Sequence, residues 1–150
     1  MNNLLIKHKK EIFVLFLILI VLDVSVFLHI YERMTNHDEL SIYFLDVGQG
    51  DSELVILPSG VKVLIDGGVP NKKAIQELDK ILGSEDRYID LVMMSHPQLD
   101  HFGGLIDVIK NYQIGAFLWS GRRGEIEAFN DLEKTLSERG VKKIILSQGD

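Results

Sequence analysis

Residues 89–94 read Ile-Asp-Leu-Val-Met-Met, and His-Pro-Gln-Leu-Asp-His follows one residue later at 96–101. This junction constrains the chain more than any other feature. A short apolar run closed by a polar, proline-containing segment predicts a strand over 89–94, buried on both faces. Its C-terminal end then carries His96, Asp100 and His101 within six residues. Imidazole and carboxylate are the ligand types that hold a hydrolytic divalent metal. Asp100 and His101 are adjacent, so a regular element would point them apart, whereas an irregular turn lets them converge. Gly103 and Gly104 follow, and a helix is predicted to open after them, over 105–112.

The flanking sequence supplies the elements of one domain. Leu40–Leu45, Glu53–Leu57 and Val61–Ile65 predict strands, the last two joined as a hairpin by Pro58-Ser59-Gly60. Asn71–Leu82 places Ile75, Leu78, Ile81 and Leu82 at helical spacing, with Gly83 as the stop. A strand over 114–119, a helix over 126–139 ending at Gly140, and a strand over 141–146 complete the pattern. Strand and helix alternate through the second part, which predicts an α/β fold with a mixed sheet. Phe117 and Trp119 read as core, and the charged face of helix 126–139 reads as solvated surface.

Three ordered segments carry a resemblance. They are Asp46-Val47-Gly48-Gln49-Gly50-Asp51-Ser52, Asp66-Gly67-Gly68 at a strand end, and the 96–101 turn. Together they resemble the metallo-β-lactamase superfamily, whose signature is H-x-H-x-D-H. The first segment looks most like the C-terminal domain of ComEC-type DNA-uptake proteins and their single-pass relatives. The resemblance spans about residues 40–150. It implies the first half of an αββα sandwich and a metal-dependent hydrolase acting on phosphodiester bonds, with nucleic acid as substrate.

By this resemblance His96, Asp100 and His101 are the metal ligands, for zinc or another divalent ion, and Asp100 is also the candidate catalytic carboxylate. Asp66, with Asp51 beside it, corresponds to carboxylates that lie behind the ligands and orient an imidazole. Local propensity alone gives Asp66 a turn role before Gly67-Gly68. Gln98 stands where the family has its second histidine, and an amide is a poor substitute for imidazole. The family divides these ligands between two ions and draws the others from a second αβ half. His101 is the last histidine of five, and the chain ends about where the first half would end. The expectation is therefore weak metal binding in this form. A half-fold of this kind exposes a sheet face, which implies a homodimer, a partner or a missing C-terminal half. The alternative function is a catalytically inert, anchored binding or structural domain.

Ile12–Ile30 is apolar except for Asp23, His29 and Ser25, and as a helix it would span roughly 28 Å, close to a hydrocarbon core. It predicts an uncleaved transmembrane anchor, because the first alanine is Ala74 and no small-residue cleavage site follows the apolar run. Lys7, Lys9 and Lys10 in the segment 1–11 place that end in the cytoplasm and the domain outside, with 31–39 as linker. Cysteine is absent, so any metal must use His, Asp or Glu. Beyond residue 30, 13 Lys and Arg stand against 20 Asp and Glu, without the basic footprint of a strong nucleic-acid binder. Arg122-Arg123 and Lys142-Lys143 are local exceptions, read as a solvated loop and a strand start.

Overall fold

The computed structural model describes residues 8–35, 39–147 and 149. The chain divides into two compact units at Asp38/Glu39. The first contains one helix, α1 (Lys9–Thr35), of which Lys9–Tyr31 has a mean hydropathy of 2.8 and is long and apolar enough to cross a membrane. Its large apolar side chains are exposed throughout, from Ile12 at 52% to Tyr31 at 56%, so the helix is apolar on every side. The helix runs four residues past the expected linker start, and residues 36–38 of that linker lie outside the described residues.

The second unit is one mixed sheet with helices. In chain order it runs β1 (Ser41–Phe44), β2 (Glu53–Ile56), β3 (Lys62–Ile65), α2 (Lys73–Leu82), β4 (Tyr88–Met93), α3 (Leu99–Asn111), β5 (Gln113–Trp119), α4 (Glu127–Glu138) and β6 (Lys142–Ile145). The spatial strand order equals the chain order. β1–β2 and β2–β3 are antiparallel; β3–β4, β4–β5 and β5–β6 are parallel. The hairpin closes through Gly60, whose φ of 80° is open to glycine at little cost. The α/β class with a mixed sheet is as the sequence predicts.

Each parallel crossover advances one strand in the same direction. Right-handed crossovers of that kind set every helix on one face of the sheet. On that face Leu54, Leu64, Val92 and Phe117 stand in register across four strands and are essentially inaccessible. They join Phe102, Leu105 and Ile109 of α3 and Phe129 and Leu132 of α4 in one core, with the Phe102 and Phe129 rings edge to face at 5.5 Å. Each such side chain contributes about 1.5–3 kcal/mol on burial.

The opposite face differs. Val55, Val63, Ile65, Leu91, Met93 and Leu118 are only half-buried, and Phe44 on the edge strand is 80% exposed. The expectation that β4 is buried on both faces is thus corrected: Ile89 and Val92 are buried, but Leu91 and Met93 are not. A run of apolar residues does not reveal that all crossovers share one hand and one direction.

The glycine pair is the second correction. α3 opens at Leu99, not after Gly104, so Asp100 and His101 lie in its first turn and Gly103-Gly104 in its interior. A Cβ on Gly104 would sit 1.9 Å from the Gly67 carbonyl oxygen, and one on Gly103 would sit 2.6 Å from Pro70 Cδ. These glycines are close-approach residues within a helix, and the packing they permit outweighs a propensity cost of about 1 kcal/mol each.

The parallel strands deliver their C-terminal ends to one edge. The loops after β3, β4 and β5 meet there, where an open α/β sheet places its chemistry.

Candidate metal centre

Asp66 follows β3 directly and adopts a left-handed backbone, φ 56°, uncommon for a residue with a side chain. Its surroundings hold it in that conformation. Its N–H donates to Met93 O at 2.9 Å, and its carbonyl accepts from Ser52 Oγ at 3.0 Å. The carboxylate is buried, at 3% exposure, and turns toward the end of β4. Oδ1 accepts from the Ser95 N–H at 2.8 Å. Oδ2 accepts from the Ser95 hydroxyl and from His101 Nδ1, the latter at 2.8 Å. A second bond ties the same two segments, from Gly67 N–H to His101 O at 2.7 Å.

Donor accounting assigns the imidazole tautomers. A carboxylate only accepts, so both Ser95 Oγ–H and His101 Nδ1–H point at Asp66. The single Ser95 hydroxyl proton is then committed. His96 Nδ1, 2.9 Å from Ser95 Oγ, must donate to it. Both rings therefore carry their proton on Nδ1 and leave an Nε2 lone pair as the ligand atom. The rings lie close, with centroids 3.8 Å apart. His96 Nε2 also meets the Gln98 side-chain amide, at 3.1 Å from the position assigned to Oε1. Rotation of that amide brings its N–H to the lone pair and completes the pair.

Asp66, His96 and His101 each bring a ligand-type atom within 4.8 Å of the other two. With Asp66 bonded to His101 Nδ1, the two Nε2 atoms are left for an ion and the carboxylate stands behind them. Two imidazoles backed by a carboxylate fit zinc or a similar divalent metal. Of the residues singled out in the sequence, His96, His101 and Asp66 are brought together. Asp100, in the first turn of α3, lines the adjoining cavity and stands outside that grouping. Its backbone is pressed against the glycine bend: a Cβ on Gly50 would fall 1.7 Å from Asp100 O. Asp51 is exposed, and its carbonyl accepts from Gly68 N–H at 3.0 Å, so its backbone braces the Asp66 loop. Gln98 precedes α3 and contacts His96.

Two residues were not singled out in the sequence. Ser95 bridges Asp66 and His96; its signal is a small hydroxyl residue at the strand end just before the first histidine. Glu53, at the start of β2, has its carboxyl held above the ordinary range by burial first, then by the charges of Asp51 and Asp66, with His101 opposing. Three carboxylates and an imidazole thus share one field, the kind of electrostatic crowding a bound cation relieves.

A family model described as the metallo-beta-lactamase superfamily matches residues 45–125, which contain every residue of this centre. Among solved structures, the chain is similar to MEM-A1, a subclass B3 metallo-beta-lactamase isolated from a soil metagenome library. That match has 29% identity, covers 52% of this chain and 29% of that one, and gives a TM-score of 0.43. The Rm3 metallo-beta-lactamase gives 32% identity, 53% and 29% coverage, and a TM-score of 0.44. A HARLDQ-motif mutant of the metallo-beta-lactamase from Cronobacter sakazakii gives 20% identity, 53% and 31% coverage, and a TM-score of 0.46. The chain therefore spans less than a third of the length of the solved structures it matches. No curated protein matches. With the family model covering more than half of its residues and the paired imidazoles within one ion's reach of a buried carboxylate, the chain belongs to the metallo-β-lactamase superfamily.

Proposed function

We propose that this protein is a membrane-anchored, metal-dependent hydrolase of the ComEC-like kind, acting on phosphodiester bonds of nucleic-acid substrates outside the cytoplasm. The grouping of Asp66, His96 and His101 carries the reading. A divalent ion held there supplies a water-derived nucleophile near neutral pH and neutralises charge developing on the phosphoryl oxygens. The chain's own residues do the rest. Asp66 fixes the His101 ring through Nδ1 and Ser95 fixes Asp66 and His96, which leaves the two Nε2 atoms to hold an ion once the Gln98 amide gives way at His96. Asp100, which lines the adjoining cavity, is assigned the orientation of substrate. The D-V-G-Q-G-D-S segment supports the ComEC-like assignment, and α1 with Lys7, Lys9 and Lys10 at its N-terminal end supports the anchor and its orientation.

The test is metal-dependent hydrolysis of bis(4-nitrophenyl) phosphate by the full chain in detergent micelles. Activity that needs zinc or manganese and disappears in His101→Ala supports the reading; activity unchanged in that variant removes the site assignment.

A second reading is an inert anchored binding domain. The Gln98 amide on His96 Nε2 and the half-open apolar sheet face favour it. Metal binding without hydrolysis of any ester, together with self-association through that face, is the outcome that would establish it.

A further inference from the structure

The loop after β5 faces the turn after β4 across a cavity of about 640 Å³, a size suited to a small organic ligand. One wall is His96, Pro97, Gln98, Leu99 and Asp100; the other runs from Arg122 to Ile126. The two arginines of that loop are not equivalent. Arg123 Nη2 pairs with Glu133 Oε2 at 2.5 Å and reaches Asn130 Oδ1 at 3.4 Å, so its charge is already matched. Arg122 has no ion-pair partner among the described residues, although its backbone N–H is tied to Ser120 Oγ at 3.4 Å. Arg122 is exposed and lines the cavity, and among the described residues no side chain hydrogen-bonds or ion-pairs with its guanidinium.

The remaining lining limits the ligand. Asp100 and Glu125 are carboxylates in the same cavity, so a second negative charge on the ligand would be repelled. Leu99 and Ile126 are 38% and 43% exposed, and with Pro97 they offer apolar surface beside the arginine. The cavity therefore combines one arginine without an ion-pair partner among the described residues, two carboxylates and exposed apolar side chains.

From this we infer that Arg122 is the specificity-setting residue of the cavity, binding the single negative charge of an oxyanion ester that carries an apolar or aromatic substituent. A phosphodiester meets these terms, whereas a phosphomonoester dianion does not. The inference rests on the hydrolase reading for its biological meaning, but the anion site itself is testable without metal.

The full chain in micelles, dialysed against EDTA, is titrated with diphenyl phosphate and with phenyl phosphate at pH 8. Fluorescence of Trp119, the only tryptophan, reports binding, because it ends β5 just before the loop and packs 5.7 Å from Phe129. Diphenyl phosphate should bind saturably and phenyl phosphate roughly tenfold more weakly. Arg122→Gln should weaken diphenyl phosphate by about tenfold or more, the scale of a lost charged hydrogen bond. Arg123→Gln should change it by less than about twofold, since that charge is matched. Equal binding by Arg122→Gln, equal affinity for the two phosphates, or no binding by the parent chain overturns the proposal. If zinc-loaded protein hydrolyses a diester with KM unchanged in Arg122→Gln, the hydrolase reading stands and this inference falls. If Arg122→Gln abolishes metal-free binding but no ester is ever hydrolysed, the anion site stands and the hydrolase reading falls.

Discussion

His101 is bonded to Asp66 through Nδ1 and Oδ2 at 2.8 Å, and its carbonyl accepts from the N–H of the next residue, Gly67, at 2.7 Å. The side-chain bond sets the tautomer; the adjacent backbone bond sets where α3 begins relative to β3. Asp66→Asn keeps the size and removes the charge. The amide has one acceptor for three donors and brings two donors of its own into a buried site, so at least one pair is broken. The cost is about 1–3 kcal/mol in unfolding free energy, read by urea denaturation. Zinc affinity should fall about 10–100-fold in calorimetry, the range for removing an outer hydrogen-bond partner of a metal histidine. Affinity equal to that of the parent chain would exclude a tautomer-fixing role.

Gln98→His tests the ligand set. The parent amide covers the His96 Nε2 lone pair and offers a metal only a weak oxygen. An imidazole at 98 begins two residues from His96, just outside α3, and adds a strong ligand on the same side. Zinc affinity should rise on the order of tenfold or more, at or above the contribution of outer hydrogen-bond partners. An unchanged dissociation constant would mean that residue 98 faces away from the ion.

Much of the centre is readable from residue order. The end of β4 and the two histidines just beyond it are local signals; the place of Asp66 behind them comes from the resemblance, since local propensity gives it only a turn role, and Asp100, expected as a ligand, stands outside the grouping. What local signals do not carry is the crowding between segments. Gly103 and Gly104 read as a break but are points of close approach between α3 and the 67–70 loop. Arg122 and Arg123 read as solvated loop, yet adjacent parallel strands β4 and β5 carry their C-terminal loops to the same edge and bring those arginines opposite His96. That neighbourhood follows from strand order, which neither periodicity nor propensity encodes. Ser95 and Glu53 escaped for a related reason: beside their near neighbours His96 and Asp51, each meets Asp66, 29 and 13 residues away along the chain.

The field at Glu53 gives a pH dependence. Burial and the charges of Asp51 and Asp66 raise its folded-state pKa above the unfolded value. The native state then binds more protons than the unfolded state between those two values. Its protonated form is favoured in the fold, so this contribution is fully present below the unfolded pKa and is lost as pH rises through the raised folded pKa. In metal-free protein, stability should therefore fall from this source across the range above about pH 4.3, the unperturbed carboxyl value. Glu53→Gln removes the titration and should flatten that part of the urea-midpoint profile, with the variant gaining on the parent as pH rises. A parallel pair of profiles would show that Glu53 does not feel the site's charges.

Gly104→Ala addresses the contact that seats the metal turn. The added methyl would lie 1.9 Å from the Gly67 carbonyl oxygen, which is backbone and cannot rotate away. Either α3 retreats from the 66–69 loop or the loop lifts, and both movements pull His101 from Asp66. Overpacking of this kind costs about 1–3 kcal/mol and here falls at or beyond the upper end, because the clash is with main chain. Gly140→Ala is the control: its φ of 62° imposes left-handed strain of about 1–2 kcal/mol, but nothing lies within 4 Å of its Cβ. Urea denaturation should rank Gly104→Ala as the more destabilised of the two. Only Gly104→Ala should also lose zinc affinity, because Gly140 lies beyond α4 and away from both loops that build the centre. Equal loss of zinc binding in both variants would trace the effect to global stability rather than to the seat of His101 on Asp66.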